Sequence, residues 1–246
     1  MLTKISEIAW LRIGPRRLYA ARCPALGQVV TQAHEAADPR ETTMKLYDSI
    51  GPNPRLVRMF IAEKGLTIPT QAVDIRAGEN RKPEHVARNP HGQTPTLELD
   101  DGSFLSEITA ICEYLEEKHP APPLIGSTAE ERAECRMWTR RIDLTICEPL
   151  ANGFRFSEGL KMFQNRVLCF PEAAPGLKKI AADRLQWMNT QMQGKEFVCG
   201  SRFTLADLLL YGWIDFGAQV GQPLDPANTV LADWHKRIAA RPSAKA

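Results

Sequence analysis

Residues 89–95 read Asn89-Pro90-His91-Gly92-Gln93-Thr94-Pro95. They run into the strand-like Thr96-Leu97-Glu98-Leu99, a turn at Asp100-Asp101-Gly102, and then SEITAICEYLEE over 106–117. A proline that opens a strand has no N–H to give the ladder, so it belongs at a sheet edge, and it is one of the few places where a cis bond is found. Such a bond turns the backbone of the preceding residue, here Thr94, outward. An N–H and C=O held open in a cleft can pair with the main chain of a bound peptide as an added strand would. The local reading is a site for a small peptide.

Upstream, Lys45-Leu46-Tyr47-Asp48 opens as a strand, and the turn at 49–54 (Ser-Ile-Gly-Pro-Asn-Pro) feeds a helix with Val57, Phe60, Ile61 and Lys64 on one face, stopped by Gly65. Residues 71–75 read as a second strand and 76–84 as a charged loop. Strands at 96–99 and 103–105 flank the Asp101-Gly102 hairpin turn, and Ile108, Ile111, Cys112 and Leu115 form the stripe of an amphipathic helix. A βαβ unit followed by a hairpin and a helix is the thioredoxin-like plan, here spanning residues 44–119.

Residues 120–126, PAPPLIG, hold three prolines and read as a semi-rigid linker. From 127 to 246 every pattern is helical, so an all-α domain is expected there. Ser127 and Glu130 are placed as a capping box for a helix running through Trp138 towards Pro149. Leu177, Ile180, Ala181, Leu185 and Met188 stripe another helix. Thr204 and Asp207 form a second box opening the apolar stretch 204–216, which is expected at the centre of that domain, and Leu231, Trp234 and Ile238 stripe the last helix.

The chain of 246 residues has room for two small cores. Its 43% apolar and 24% charged content is that of a soluble globular protein, and no apolar run approaches the roughly 18 residues of a membrane span, so no membrane partner and a cytoplasmic location are expected. Residues 1–43 carry six Lys/Arg against four Asp/Glu, while the rest balances at 25 against 25, which gives no sign of nucleic-acid binding. The first 43 residues resemble a weak transit peptide or basic arm and are expected to be a disordered extension. The six cysteines show no C-x-x-C pair and no metal spacing with the five histidines, so reduced thiols and no metal site are expected.

With these pieces in this order and spacing, residues 44–246 resemble a glutathione S-transferase, closest to the theta-related bacterial and fungal subgroup. KLYDSIGPNPRLVRMFIAEKGL, NPHGQTPTLELDDG, SEITAICEYLEE and RFTLADLLLYGW carry the likeness. The resemblance implies a thioredoxin-like N-terminal domain plus an all-α C-terminal domain, a homodimer, glutathione as co-substrate with no further cofactor, and a small apolar electrophile as second substrate. It also implies that Thr94 and Pro95 meet the cysteinyl unit of glutathione, that Glu107 and Ile108 hold the γ-glutamyl end at a helix N-terminus, and that His91 and Gln93 lie near the glycyl carboxylate. Ile108 stands where the family has serine, so a hydroxyl is lost there unless Ser106 or Thr109 supplies one.

Such chemistry needs a thiolate, and a free thiol has a pKa near 8.5. Lowering it by about two units requires about 2.7 kcal/mol. A helix N-terminus supplies about 0.3 to 1, so a hydrogen-bond donor to sulfur worth about 1.5 to 3 kcal/mol is also needed. The family's activating serine corresponds to Gly51 here. Ser49 and Asn53 are the candidate catalytic donors, followed by Tyr47 and by a water held by the helical domain. Ser49 and Asn53 also have a plain structural reading, as residues shaping a proline-rich turn or capping the helix. Phe154 and Phe156 are candidates for the electrophile pocket. The rival to an enzyme is a non-catalytic ligand- or partner-binding relative, which Gly51 and Ile108 favour.

Overall fold

In a computed structural model, residues 43–246 are described; the expected extension at 1–43 lies, save for Thr43, outside the described residues. Strand β1 (Lys45–Asp48) leads through helix α1 (Pro52–Glu63) to strand β2 (Thr70–Ala72), which pairs parallel to β1. A short helix α2 (Pro83–Val86) precedes the antiparallel strands β3 (Thr96–Glu98) and β4 (Phe104–Ser106), and helix α3 (Ile108–Lys118) follows. The sheet order is β2-β1-β3-β4, the thioredoxin-like arrangement.

Leu46 pairs with Leu97 and Leu97 with Leu105, and Leu46 and Leu97 are completely buried with Leu56 and Phe60 of α1 and Ile111 and Leu115 of α3. α1 ends as the sequence predicts. Gly65, at φ +64, donates to the Ala62 carbonyl and Leu66 to that of Ile61, the paired closure that a left-handed glycine permits. β2 is shorter than expected and shifted, at 70–72 rather than 71–75. The Asp74 carboxylate accepts from the N–H groups of Arg76 and Ala77 at 2.8 and 3.0 Å, a side-chain turn that bends the chain out of the sheet.

Lys64, striped with the apolar face of α1, is buried in an ion pair with Glu116 of α3. Its Nζ also donates to the carbonyls of His119 and Pro122 at 2.7 and 2.6 Å, and Glu116 accepts from the N–H groups of Leu124 and Ile125. The linker is therefore gripped by a buried pair whose remaining hydrogen-bonding capacity the linker backbone satisfies.

Helix α4 (Ala129–Ile142) is capped by Thr128, whose side chain accepts from the Glu131 N–H, while Glu131 reaches back to the Ser127 N–H at 2.7 Å. The expected box at Ser127 and Glu130 does not form: the cap is one residue later, at Thr128, and the carboxylate reaches past it to the Ser127 N–H. The helix does not stop near Pro149. A π turn at Asp143–Cys147 carries it into α5 (Glu148–Arg155), which accommodates a proline that has no N–H to return to the preceding turn. Short α6 (Leu160–Phe163) and long α7 (Ala174–Gln191) follow, then α8 (Leu205–Gln219) and α9 (Thr229–Ala239). In α7 Ala181, Leu185 and Met188 are buried as striped, whereas Ile180 is exposed.

α8 is buried from Leu205 through Ile214, the centre of the helical domain. Asp207 at its first turn accepts from the N–H groups of Val198 and Thr204 and from Trp234 Nε1 at 2.9, 3.0 and 3.1 Å. Burial pushes this carboxyl up to about 6 against the pull of those three donors. The start of α1 is tied to α8, because Arg55 pairs with Asp215 and donates to the Ala244 carbonyl at 2.9 Å.

Candidate functional site

A cleft of about 530 Å³ lies where the turn before α1, the segment 92–94 and the helical domain meet. Its first wall is set by the turn. Gly51, the N-cap of α1, sits at φ +121 and ψ 170, a region essentially restricted to glycine. A serine here would carry backbone strain. Pro52 and Pro54 remove two of the N–H groups that an α-helix N-terminus ordinarily leaves free, and Arg55 N–H bonds the Gly51 carbonyl, so the donors left in this turn are those of Gly51 and Asn53.

Asn53 is the second residue of α1, not its cap. It lines the cleft, its Oδ1 is buried without a hydrogen-bond partner, and its amide nitrogen makes no hydrogen bond among the described residues. Ser49 does not line the cleft. Its hydroxyl is shared with the Thr94 hydroxyl in a short contact and lies 3.2 Å from the Ile50 carbonyl. Tyr47 is buried, with its hydroxyl on Glu98 at 2.8 Å.

The Thr94–Pro95 bond is cis, as the sequence reading expects. Residues ahead of it are anchored from behind. Asn80 Nδ2 donates to the Gly92 carbonyl at 2.6 Å, while His85 Nε2 and Asn89 Nδ2 hold the Gln93 carbonyl at 2.8 and 3.0 Å. Gly92 is required, since its φ is +58 and an added Cβ would lie 2.8 Å from the Asn80 carbonyl oxygen. With that support behind it, the Thr94 backbone makes no hydrogen bond among the described residues and lines the cleft together with Gln93. Asn80, His85 and Asn89 were missed by sequence reasoning, because nothing local distinguishes them from surface polar residues.

Pro95 is buried under β3, and the His91 side chain is exposed outside the cleft. Glu107 and Ile108 lie off the 530 Å³ cleft as well. The Thr96–Ser106 pairing places them beside Pro95 and Thr94 at the start of α3, where Glu107 is the N-cap at φ +70 and Ile108 packs half-buried on the core. Burial raises the pKa of the half-buried Asp143 carboxyl; its ion-pair partner Arg140, 3.7 Å away, pulls it down, and the charges of Glu148 and, least, Glu107 add to the rise.

The opposite wall comes from the helical domain. Phe154 meets Phe216 and Phe163 edge-on at centroid distances of 5.3 and 6.0 Å, and Trp213 meets Phe216 at 5.6 Å. Phe154, Phe163, Trp213 and Phe216 all line the cleft, so two aromatics that read as core from the sequence face the site. Phe156 does not; it turns to Phe170 at 6.2 Å. Four arginines, Arg76, Arg81, Arg155 and Arg166, also line the cleft, and no Asp or Glu among the described residues does. The five described cysteines are free thiols away from it, and burial raises the pKa of Cys112 and Cys147, which keeps them protonated.

Family models for the glutathione S-transferase N-terminal and C-terminal domains match residues 50–118 and 161–242. Glutathione S-transferase 2 of Saccharomyces cerevisiae is 32% identical over 210 residues, covering 82% of this chain and 88% of that protein. The chain belongs to the glutathione S-transferase family. Two solved members superpose with TM-scores of 0.77: a glutathione S-transferase domain-containing protein of Marinobacter aquaeolei, 32% identical over 81% of this chain and 98% of that one, and Gtt2 of Saccharomyces cerevisiae, 30% identical over 82% and 98%. Membership carries a glutathione-transferase-type function at the level of the family. Among the described residues no helix is long and apolar enough to cross a membrane, and no group of three or more His, Cys, Asp or Glu residues is placed to hold a metal.

Proposed function

We propose that the protein is a glutathione transferase that stabilises the glutathione thiolate at Asn53 and conjugates it to an electrophile with an apolar body. The observation carrying this reading is the Asn53 amide: a side chain without a partner among the described residues, at a helix start, between the open backbone of Thr94 and an aromatic wall. In this reading the Thr94 N–H and C=O pair with the cysteinyl unit, Glu107 faces the γ-glutamyl ammonium, and the Ile108 N–H meets its carboxylate. Arg81 and Arg76 offer charge to the glycyl carboxylate from the loop beside Gln93.

The thiol proton leaves to solvent as the thiolate forms. Asn53 Nδ2–H and the Asn53 backbone N–H donate to the sulfur. The thiolate attacks the electrophilic carbon held against Phe154 and Phe216; a C–S bond forms and the leaving group departs with its electron pair. Rate comes from holding the two reactants together and from the stabilised anion. No cofactor beyond the tripeptide is required, and a cytoplasmic homodimer in detoxification fits the reading.

Ultraviolet absorbance of bound glutathione against pH, run beside turnover of 1-chloro-2,4-dinitrobenzene, tests it. A bound-thiol pKa well below 8.5 together with turnover is expected. The second reading, a relative that binds ligands without chemistry, draws on Gly51 and Ile108 and predicts neither.

A further inference from the structure

The aromatic wall of the cleft carries hydrogen-bond donors in excess of acceptors. Arg155 and Arg166 come from α5 and the turn after α6, and both are half-buried. Arg166 makes no side-chain hydrogen bond or ion pair among the described residues. Arg155 donates to Asn152 at 3.0 Å and lies 5.7 Å over the Phe163 ring, and it has no carboxylate partner among the described residues. The acids nearest in sequence are engaged elsewhere: Glu148 accepts from Asn152 at 2.7 Å, and Glu158 pairs with Lys178 at 2.6 Å, which holds its carboxyl down to about 2. Trp213, only 6% exposed, lines the same wall with its indole N–H buried and unpartnered.

Two uncompensated guanidinium groups and an orphan N–H beside an apolar surface carry a desolvation cost that a bound anion would relieve. Glutathione itself does not use them in the reading above, since its glycyl end faces Arg76 and Arg81 on the other side of the cleft.

Resting on the transferase reading, the geometry points to a more specific second substrate: an aromatic electrophile bearing a carboxylate or comparable anionic group. Its ring packs on Phe154, Phe163 and Phe216, and its charge is taken by Arg166 and Arg155, with Trp213 Nε1–H as a further donor. The step is the substitution already described, C–S forming as the carbon–halogen bond breaks, and the anionic group takes no part in it.

The test separates recognition from chemistry. Binding of 4-chloro-3-nitrobenzoate and of its methyl ester is measured by tryptophan fluorescence quenching, with S-methylglutathione present so that no reaction occurs. The acid is expected to bind at least tenfold more tightly than the ester, and the preference should weaken with added salt. Arg166→Gln and Arg155→Gln should each reduce the acid-to-ester ratio several-fold, with Arg166→Lys recovering part of it, in variants whose thermal unfolding is unchanged. Kinetics then give the same ratio in kcat/KM. Equal affinity for acid and ester, or a ratio untouched by both Arg→Gln changes, overturns the inference. Persistence of the arginine-dependent preference without turnover and without a thiol pKa shift supports the anion site while refuting the transferase reading beneath it.

Discussion

Replacing Asn53 by alanine separates a residue kept for chemistry from one kept for structure. A donor to a charged acceptor contributes about 1.5 to 3 kcal/mol, and each pKa unit is about 1.4 kcal/mol. Because the two prolines leave few N–H groups at the start of α1, loss of the Asn53 amide should raise the bound-thiol pKa by about one to two units. A donor stabilises the anion, so its removal moves the acid limb of the rate profile to higher pH and cuts turnover near pH 6.5 about tenfold or more. Fold stability should move the other way. Asn53 lies inside α1 with a buried, unpartnered oxygen, and alanine is the better helix former, so the variant should gain about 0.5 kcal/mol or more. Ultraviolet titration of bound glutathione and urea unfolding read the two quantities on one preparation. Ser49→Ala is the companion, expected to shift the thiol pKa by no more than a few tenths, because that hydroxyl is already engaged with Thr94. A pKa unmoved in Asn53→Ala, or a stability loss above about 1 kcal/mol, would refute the argument. A shift found in Ser49→Ala instead makes the hydroxyl the donor, and no shift in either leaves a water held by the helical domain.

Three further outcomes follow from the packing. Gly51→Ser should not raise turnover and should lower stability by about 1 to 3 kcal/mol, since φ +121 with ψ 170 is glycine's region; an active, undiminished serine variant would contradict this. Glu116→Gln should lower stability by about 3 to 5 kcal/mol by leaving the Lys64 ammonium buried without its counter-charge, readable in a guanidinium melt, and a loss under 1 kcal/mol would show that the linker carbonyls suffice. Asp207 has its folded pKa raised from 3.8 to about 6, which favours the protonated acid in the fold. That stabilisation of about 3 kcal/mol is complete below pH 3.8 and is lost as pH rises through 6, so wild type should weaken relative to Asp207→Asn across that window; a flat difference speaks against it.

Much of the fold was legible because it rests on local rules: the apolar stripes of α1, α3 and α9, the glycine that ends α1, and the acidic residue at the first turn of α8. The elements misread were those in which a side chain competed with the backbone or a neighbour overrode a breaker. Asp74 ended β2 early, and the π turn at Asp143–Cys147 let the helix pass Pro149. For the site, Thr94, Gln93 and Asn53 were visible as motif residues, and the cis bond at Pro95 was anticipated from proline chemistry.

The order of residues by itself determined the two-domain plan, the family and the proline-rich turn before α1, since periodicity, caps and turn chemistry act over a few residues. Only the tertiary structure decided which polar group in that turn lacks a partner among the described residues, which aromatics leave the core, and that four arginines from two domains face one cleft that no described carboxylate lines. Those are properties of surfaces brought together from distant parts of the chain, where burial and the identity of the nearest partner set the chemistry, and neither is written in local sequence.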